Sequence, residues 1–580
     1  VGRALARFEA FCRSRHFPFV CVAIGVLLVL PAARNGLQTE DHFQRGLSWT
    51  LHLYSRGAGD TFQNYYAKDA GILPWFASED LKVAFLRPLA SLSLSFDYQV
   101  LPAHRAWPYL QSFLWLGVLI WAGVTLFRRV NGTWGGGALA AILFALDDAR
   151  AMSVGWLAAR HAVMAAALSV VALLAFDRWR REGSRAAACA CPVALLCALF
   201  SSELAVSALG YFVAYSLFLD AAALRRRLVA ALTYVGPSLV WLIAYSIGGY
   251  GTRGSGMYIS PVDEPLQAAS AIVHRLPWLL TGTFGVLPAD AGLLVPEDGR
   301  AVGSMLAWTI PVAIFALLLP IIRQSATGRF WAAGLVLASV PLCSGPPGDR
   351  LLLLSALSGM AFVDLLVAAV VSGIGGRLWR ITAGVMAAFW LLVHGILAPV
   401  RLPSLTHRLS GPAEWLERAS ESACAGALGD QQVIVLNAPD AYFGCMLAGL
   451  AWSRGCRASH FRVLYAGLET PVVERLDDRT LLVRTERGFV DGLVNRSYRS
   501  ESRPFVVGQG IQLSLLQIVV VGITSTGAPK DVEFRFGRSL EDRRFRFVAW
   551  NGERYAPVEL PPPGKRVHLT GFSPASLYPE

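Results

Sequence analysis

The sequence predicts a polytopic α-helical membrane protein, with about eleven transmembrane helices and a C-terminal mostly β (α+β) domain outside the membrane. Three observations predict it. First, 54% of the 580 residues are hydrophobic and only 16% are charged, with a mean hydropathy of +0.47. A soluble domain carries about 25% charged residues. Second, apolar runs such as Phe19 to Ala33, Leu351 to Val371 and Ile381 to Val400 approach the ~20 residues that cross a ~30 Å hydrocarbon core. Third, loops rich in arginine alternate with loops that carry acidic residues.

The net charge of +12 comes largely from those basic loops. They hold Arg13 and Arg15, Arg128-Arg129, Arg178 to Arg185, Arg225 to Arg227, Arg323 and Arg329, and Arg377 and Arg380. Arginines confined to alternate short loops carry the positive-inside signal that orients membrane proteins. The charge is therefore topological and implies no nucleic-acid partner.

With those loops cytoplasmic, the predicted spans are 17–33, 108–127, 134–147, 155–176, 186–200, 204–219, 228–247, 302–322, 330–343, 351–371 and 380–399. The N-terminus is then cytoplasmic and the C-terminal domain extracytoplasmic. The stretch 276–295, broken by Gly and Pro, reads as interfacial or re-entrant. Arginines precede the first span and Pro31-Ala32-Ala33 closes it, as in a signal peptide, but the many later spans favour an uncleaved anchor.

The membrane domain occupies 1–403, with a large first outer loop at 34–107, and the soluble domain occupies 404–580. Trp49, Tyr54, Phe62, Tyr65, Tyr66 and Trp75 give that loop the aromatic character of a membrane interface. Leu89, Leu92, Phe96 and Val100 recur at helical spacing, as in an amphipathic helix lying on the bilayer. Beyond 404, residues 431–437, 479–484, 513–522, 531–536 and 544–550 read as strands.

Charges interrupt the apolar runs at Glu40-Asp41, Asp147-Asp148, Arg160-His161, Glu203 and Asp349-Arg350, and the predicted topology brings all of them out on one face. One such charge is most simply a solvated loop residue. Several from distant parts of the chain describe a site at a lipid headgroup, because charges near membrane depth face protein or a cavity.

Six of the nine cysteines lie in or beside apolar spans, where Cys behaves as a small hydrophobe. Cys424, Cys445 and Cys456 fall in the outer domain, and Cys445–Cys456 is the first candidate for a disulfide in an oxidising compartment. There is no Cys/His metal spacing and no Gly-rich phosphate loop. A divalent metal is compatible with the chemistry, but no cofactor is called for.

The order of these motifs resembles that of the GT-C glycosyltransferases, in particular bacterial relatives of the protein O-mannosyltransferases and the TMTC type. Thr39-Glu40-Asp41-His42 resembles the acidic pair of their first outer loop. Phe85-Leu86-Arg87-Pro88-Leu89 through Asp97-Tyr98 is similar to their Arg-Pro-Leu segment, and Tyr109-Leu110-Gln111-Ser112 loosely matches the motif that opens the next span. Asp147 through Trp156 and Arg160, Ser202-Glu203, and Asp349-Arg350-Leu351 through Ser355 follow in the family's order, over roughly residues 15–400. The chain departs from the pattern at Met152, Asp147 and Ser202, where the family has an acid, a His and a Lys; Asp147 or Asp148 is placed to replace the lost carboxylate.

The resemblance implies transfer of a sugar from a polyprenyl-phosphate donor to a hydroxyl or amine on a lipid, glycan or protein acceptor. Such a reaction needs a carboxylate base and cations for the departing phosphate. Asp41, with Glu40 beside it, is the expected base. Arg350, Arg160 and Arg87 are the expected phosphate ligands, with Glu203, Asp147, Asp148 and His161 lining the site. A bacterial inner or plasma membrane is the expected location. The alternative is a non-catalytic transporter or assembly subunit of an envelope polysaccharide system, although neither inverted repeats nor mid-span charges mark it as a transporter.

Labelling of single cysteines introduced beside Asp41, Asp148, Glu203 and Arg350 checks the topology. All four sites should react with an impermeant reagent from outside, and protection of any one would place it on the other face.

Overall fold

The computed structural model describes residues 2–47, 61–100, 106–133, 135–295, 299–427 and 429–573. Trp49 and Tyr54 of the first loop lie outside them. By its contacts the chain divides into two compact units. One comprises 1–36, 85–250 and 261–409, and the other 37–84, 251–260 and 410–580.

The first unit is helical, and each predicted span falls on a helix. Among the described residues six stretches are long and apolar enough to cross a membrane: Phe17–Arg34, Trp107–Val130, Leu157–Glu182, Leu224–Ile247, Ala301–Gln324 and Arg377–Cys424. The other five predicted spans correspond to shorter helices, Ala138–Leu146, Arg185–Leu199, Glu203–Phe218, Ala326–Leu342 and Ser355–Val371. At ~1.5 Å per residue, the longest of these reaches only about 25 Å. Among the described residues six of the eleven predicted spans meet the span length on their own.

Helix Leu157–Glu182 is the most enclosed, with 83% of its apolar window buried, whereas Leu224–Ile247 buries 22% and presents Leu228, Val229, Leu232 and Ile243 outward. Small residues let helices approach closely. A Cβ on Gly210 would stand 2.5 Å from the Ala338 backbone nitrogen, so the helices Ala208–Phe218 and Ala326–Leu342 pack backbone to backbone there. Of the stretch 276–295, residues 276–283 form the end of the helix Pro265–Thr283, which has Pro277 inside it. The chain breaks only afterwards, before the 3-10 turn Ala289–Leu293.

Arginines of two of the basic loops are ion-paired. Arg129 and Arg181 both bind the buried Asp177, Arg129 also meets Glu182 at 2.7 Å, and Arg180 meets Asp220 at 2.7 Å. The predicted amphipathic helix of the first loop is present as Pro88–Val100. It buries Ala90, Leu94 and Asp97 and exposes Leu92, Phe96 and Val100.

The second unit is α+β. Its four-stranded sheet has the order 555–557, 545–550, 432–438, 460–466. Strand Gln432–Ala438 is parallel to both neighbours and buried throughout. Parallel neighbours need a crossover, and helix Ala441–Ser453 supplies it. A six-stranded antiparallel sheet has the order 566–568, 472–475, 480–484, 529–536, 516–523, 510–513. The single strand expected at 513–522 is in fact a hairpin, turned at Ser514-Leu515 with Leu515 at φ +59°.

Part of the predicted outer loop belongs to this unit. Trp75 and Phe76 sit in its core among Phe489, Phe505 and Phe534, and Trp75 Nε1 donates to the Leu464 carbonyl at 3.0 Å. Trp75 is therefore a core residue, not an interfacial one, while Tyr65 and Tyr66 are exposed. Gly71 makes this seating possible: it has φ +84°, and a Cβ there would lie 1.9 Å from the Phe461 carbonyl oxygen.

The disulfide joins Cys424 to Cys456 with Cα atoms 6.0 Å apart, not Cys445 to Cys456. Cys445 is buried on the face of its helix that packs into the core, whereas Cys424 ends the helix Ser410–Cys424 and Cys456 follows the turn after Ser453. The bond closes a separation of 32 residues, which on a chain-entropy basis stabilises by about 3–4 kcal/mol. Counting thiols in denaturant should find seven of nine reactive before reduction. A Cys424→Ser, Cys456→Ser double variant should unfold at lower temperature, and an unchanged midpoint would show that the bond does not form.

Candidate functional site

In the first unit, Arg160 lies at zero exposure, with Nη1 2.5 Å from Asp97 Oδ2, whose side chain is equally buried. Its other donors reach Ser112 Oγ at 3.0 Å, Ser93 Oγ at 2.9 Å and the Pro108 carbonyl at 2.6 Å. These bonds tie Pro88–Val100 to Trp107–Val130. They occupy the guanidinium, so Arg160 is a strut rather than a phosphate ligand.

Arg87 immediately precedes that strutted helix. Its Nε lies 2.8 Å from Glu203 Oε2, and its guanidinium covers the Phe85 ring at 4.3 Å. The second Glu203 oxygen is buried with no hydrogen-bond partner among the described residues. His161, one residue past Arg160, places Nδ1 3.0 Å from Ser202 Oγ and lies close enough to Arg87 and Arg350 to feel both charges. Arg350 completes the group. It is half-buried, donates no hydrogen bond and has no carboxylate within 4 Å among the described residues, while its carbonyl accepts from Ser153 Oγ at 3.4 Å.

The acidic residues divide into two sets. Asp147 is buried, 3.8 Å from Arg150 and 4.0 Å from His394 Nδ1. Arg150 is buried too, lies over the Phe144 ring and donates to the Phe144 carbonyl. Asp148 is more open and faces Arg401 at 3.5 Å. Its carboxyl is pushed up by burial and by the neighbouring Asp147 charge. Asp349 accepts from the Ala289 N–H at 2.7 Å, and its own N–H donates to Asp290 Oδ2 at 3.0 Å. Burial first, then the charges of Asp290, Asp148 and Asp147, raise its pKa to about 7 against the Ala289 hydrogen bond.

His394, Arg401, Asp290 and Arg150 were not singled out from the sequence. His394 lies in a one-turn π-helix, Val393–Leu397, a distortion that recurs at functional sites. A lone His inside the apolar run 381–400 was the available signal.

Glu40 and Asp41 lie in the second unit, at the start of helix Thr39–Leu47. Asp41 is fully buried, and its Oδ2 accepts the Gln38 N–H at 2.9 Å, the reach-back bond of a capping box. Thr39 Oγ1 accepts from the Tyr442 hydroxyl at 2.6 Å, and the charges of Glu40, Asp41 and Asp440 all bear on that phenol. His42 meets Glu417 at 3.5 Å. Among the described residues no three His, Cys, Asp or Glu side chains are arranged to hold a metal ion.

No known family and no curated protein matches the chain in sequence. Among solved structures it is similar to ArnT from Cupriavidus metallidurans bound to undecaprenyl phosphate, at 13% identity and a TM-score of 0.40. That likeness covers 78% of this chain and 90% of that one. A likeness at that level does not define a fold family.

The raised Asp349 carboxyl gives a pH dependence of known sign. The folded state holds this proton more tightly than the unfolded chain, so stability falls as pH rises from about 4 to about 7. Asp349→Asn should therefore leave stability near pH 4 unchanged and raise it above pH 7, by roughly 2–4 kcal/mol at most. Thermal unfolding in detergent at both pH values measures this. Equal midpoints for the two proteins at pH 8 would show that burial does not penalise the charge.

Proposed function

We propose that the chain is an integral-membrane glycosyltransferase that takes a sugar from a polyprenyl-phosphate donor. The observation that supports this most is the half-buried Arg350, without a carboxylate partner among the described residues, beside Arg87 and His161 in a unit of long apolar helices. A half-buried guanidinium without a carboxylate calls for an anion, and its planar fork suits phosphate. The surrounding apolar helices suit the polyprenyl tail. The motif order shared with GT-C enzymes supports the same reading.

In this proposal the acceptor hydroxyl or amine loses its proton to a carboxylate, and its lone pair attacks the anomeric carbon. The bond from that carbon to the phosphate oxygen breaks, and the polyprenyl phosphate leaves with the electron pair. Arg350 and Arg87 hold the phosphate as its charge grows. Glu203 fixes the fork of Arg87, and the ring of His161 donates to or accepts from the sugar phosphate.

The base assignment follows the resemblance: Asp41, with Glu40 beside it. Asp147 or Asp148 is next, Asp148 being the more open of the two. The donor sugar and acceptor class are open to any hydroxyl or amine on a lipid, glycan or protein. The disulfide supports an extracytoplasmic second unit, since such bonds persist in oxidising compartments.

Transfer from a radiolabelled polyprenyl-phosphate sugar in membranes tests both assignments. Asp41→Asn should lower the rate by about 10²–10⁴ with donor binding retained. Arg350→Ala should raise the donor KM by about tenfold to a hundredfold. Parent-level transfer by both Asp41→Asn and Glu40→Gln would move the base to Asp148. No transfer by the parent with any donor would favour the assembly-subunit reading.

A further inference from the structure

The second unit contains a small solvent-open cleft that none of the proposed chemistry uses. Arg487, Arg496, Arg499 and Arg503 line it, against two carboxylates, Asp491 and Glu501. Three of these arginines are partnered. Arg496 Nη1 lies 2.8 Å from Glu501, Arg487 lies 3.5 Å from Glu469, and Arg503 is ion-paired with Asp80.

Arg499 differs. Its Nε donates to the Arg503 carbonyl at 2.7 Å and its Nη1 to the Phe76 carbonyl at 3.3 Å, and the guanidinium lies 3.6 Å from the Phe505 ring centroid. Among the described residues no carboxylate comes within ion-pair distance of it. Carbonyls and a ring orient the fork without neutralising it. Burial lowers its pKa to about 10, with the more distant Glu79 opposing, so it stays charged near neutral pH.

We propose that this cleft binds a small oxyanion group, a phosphate or a carboxylate, with Arg499 as the fixed ligand and Arg487 and Arg496 closing on it. The cleft is small and open to solvent, which suits a compact anionic group presented at its mouth. An incoming oxyanion would take Arg499 as an unshared partner and compete with Glu501 for Arg496. Arg487, three-quarters exposed, has the freedom to swing onto it. The inference concerns binding alone and stands whether or not the chain transfers sugar.

Calorimetric titration of the full-length protein in nanodiscs of zwitterionic lipid tests it, with glucose 1-phosphate, glucuronate and neutral glucose as probes. At least one anionic probe should bind with a Kd below about 1 mM, and glucose should not. Binding of glucose 1-phosphate alone identifies a phosphate ligand, of glucuronate alone a carboxylate, and of both the shared oxyanion chemistry. Arg499→Gln should weaken binding about tenfold or more, and so, to a lesser degree, should Arg487→Gln, whose exposed position leaves folding intact. Glu501→Gln should tighten binding by releasing Arg496. The proposal is overturned if neither anion binds, if glucose binds as well as they do, or if Arg487→Gln and Glu501→Gln both leave the affinity unchanged.

Discussion

The buried pair between Arg160 and Asp97 is the constraint on which the candidate site depends. Two charges at zero exposure are costly unless every donor is satisfied, and here the guanidinium is shared among Asp97, Ser93, Ser112 and the Pro108 carbonyl. Losing one partner of such a pair costs about 3–5 kcal/mol. The pair also fixes what stands next to it. Arg87 leads into the helix that carries Asp97, and His161 follows Arg160 directly. The residue that looked like a phosphate ligand thus orients two that remain candidates for the role.

The same economy explains which charges are left for chemistry. Arg129, Arg180 and Arg181 are held by Asp177, Glu182 and Asp220, so these basic-loop charges go into local ion pairs. Asp147 and Arg150 neutralise each other inside the protein. Of the three arginines expected as phosphate ligands, Arg87, Arg160 and Arg350, Arg350 is left without a carboxylate partner among the described residues, which is why the anion-binding proposal centres on it.

Much of this was legible in the sequence because it depends on local pattern. Helical hydrophobicity located every helix assigned as a span, and the spacing of Leu92, Phe96 and Val100 gave the amphipathic helix with its outer face. What was not legible depends on contacts between distant segments. Nothing near Arg160 shows that Asp97, Ser93, Ser112 and Pro108 converge on it. Trp75 reads as an interfacial aromatic until Gly71 is seen to let its segment pack against the strand at Phe461. Cys445 and Cys456 are nearer in sequence, yet helix geometry turns Cys445 into the core and leaves Cys424 to pair. The helix count rests on less: apolar composition marks a helix as buried in something, and helices of nine to seventeen residues satisfy it as well as longer ones do.

The most direct test of the central claim is equilibrium binding of a polyprenyl phosphate to the purified protein, set against the corresponding polyprenol. The account predicts tighter binding of the phosphate, an affinity that falls with salt, and a loss of about tenfold or more in Arg350→Gln that the alcohol does not show. Equal affinity of wild type and Arg350→Gln for the phosphate, or no preference for phosphate over alcohol, would contradict it.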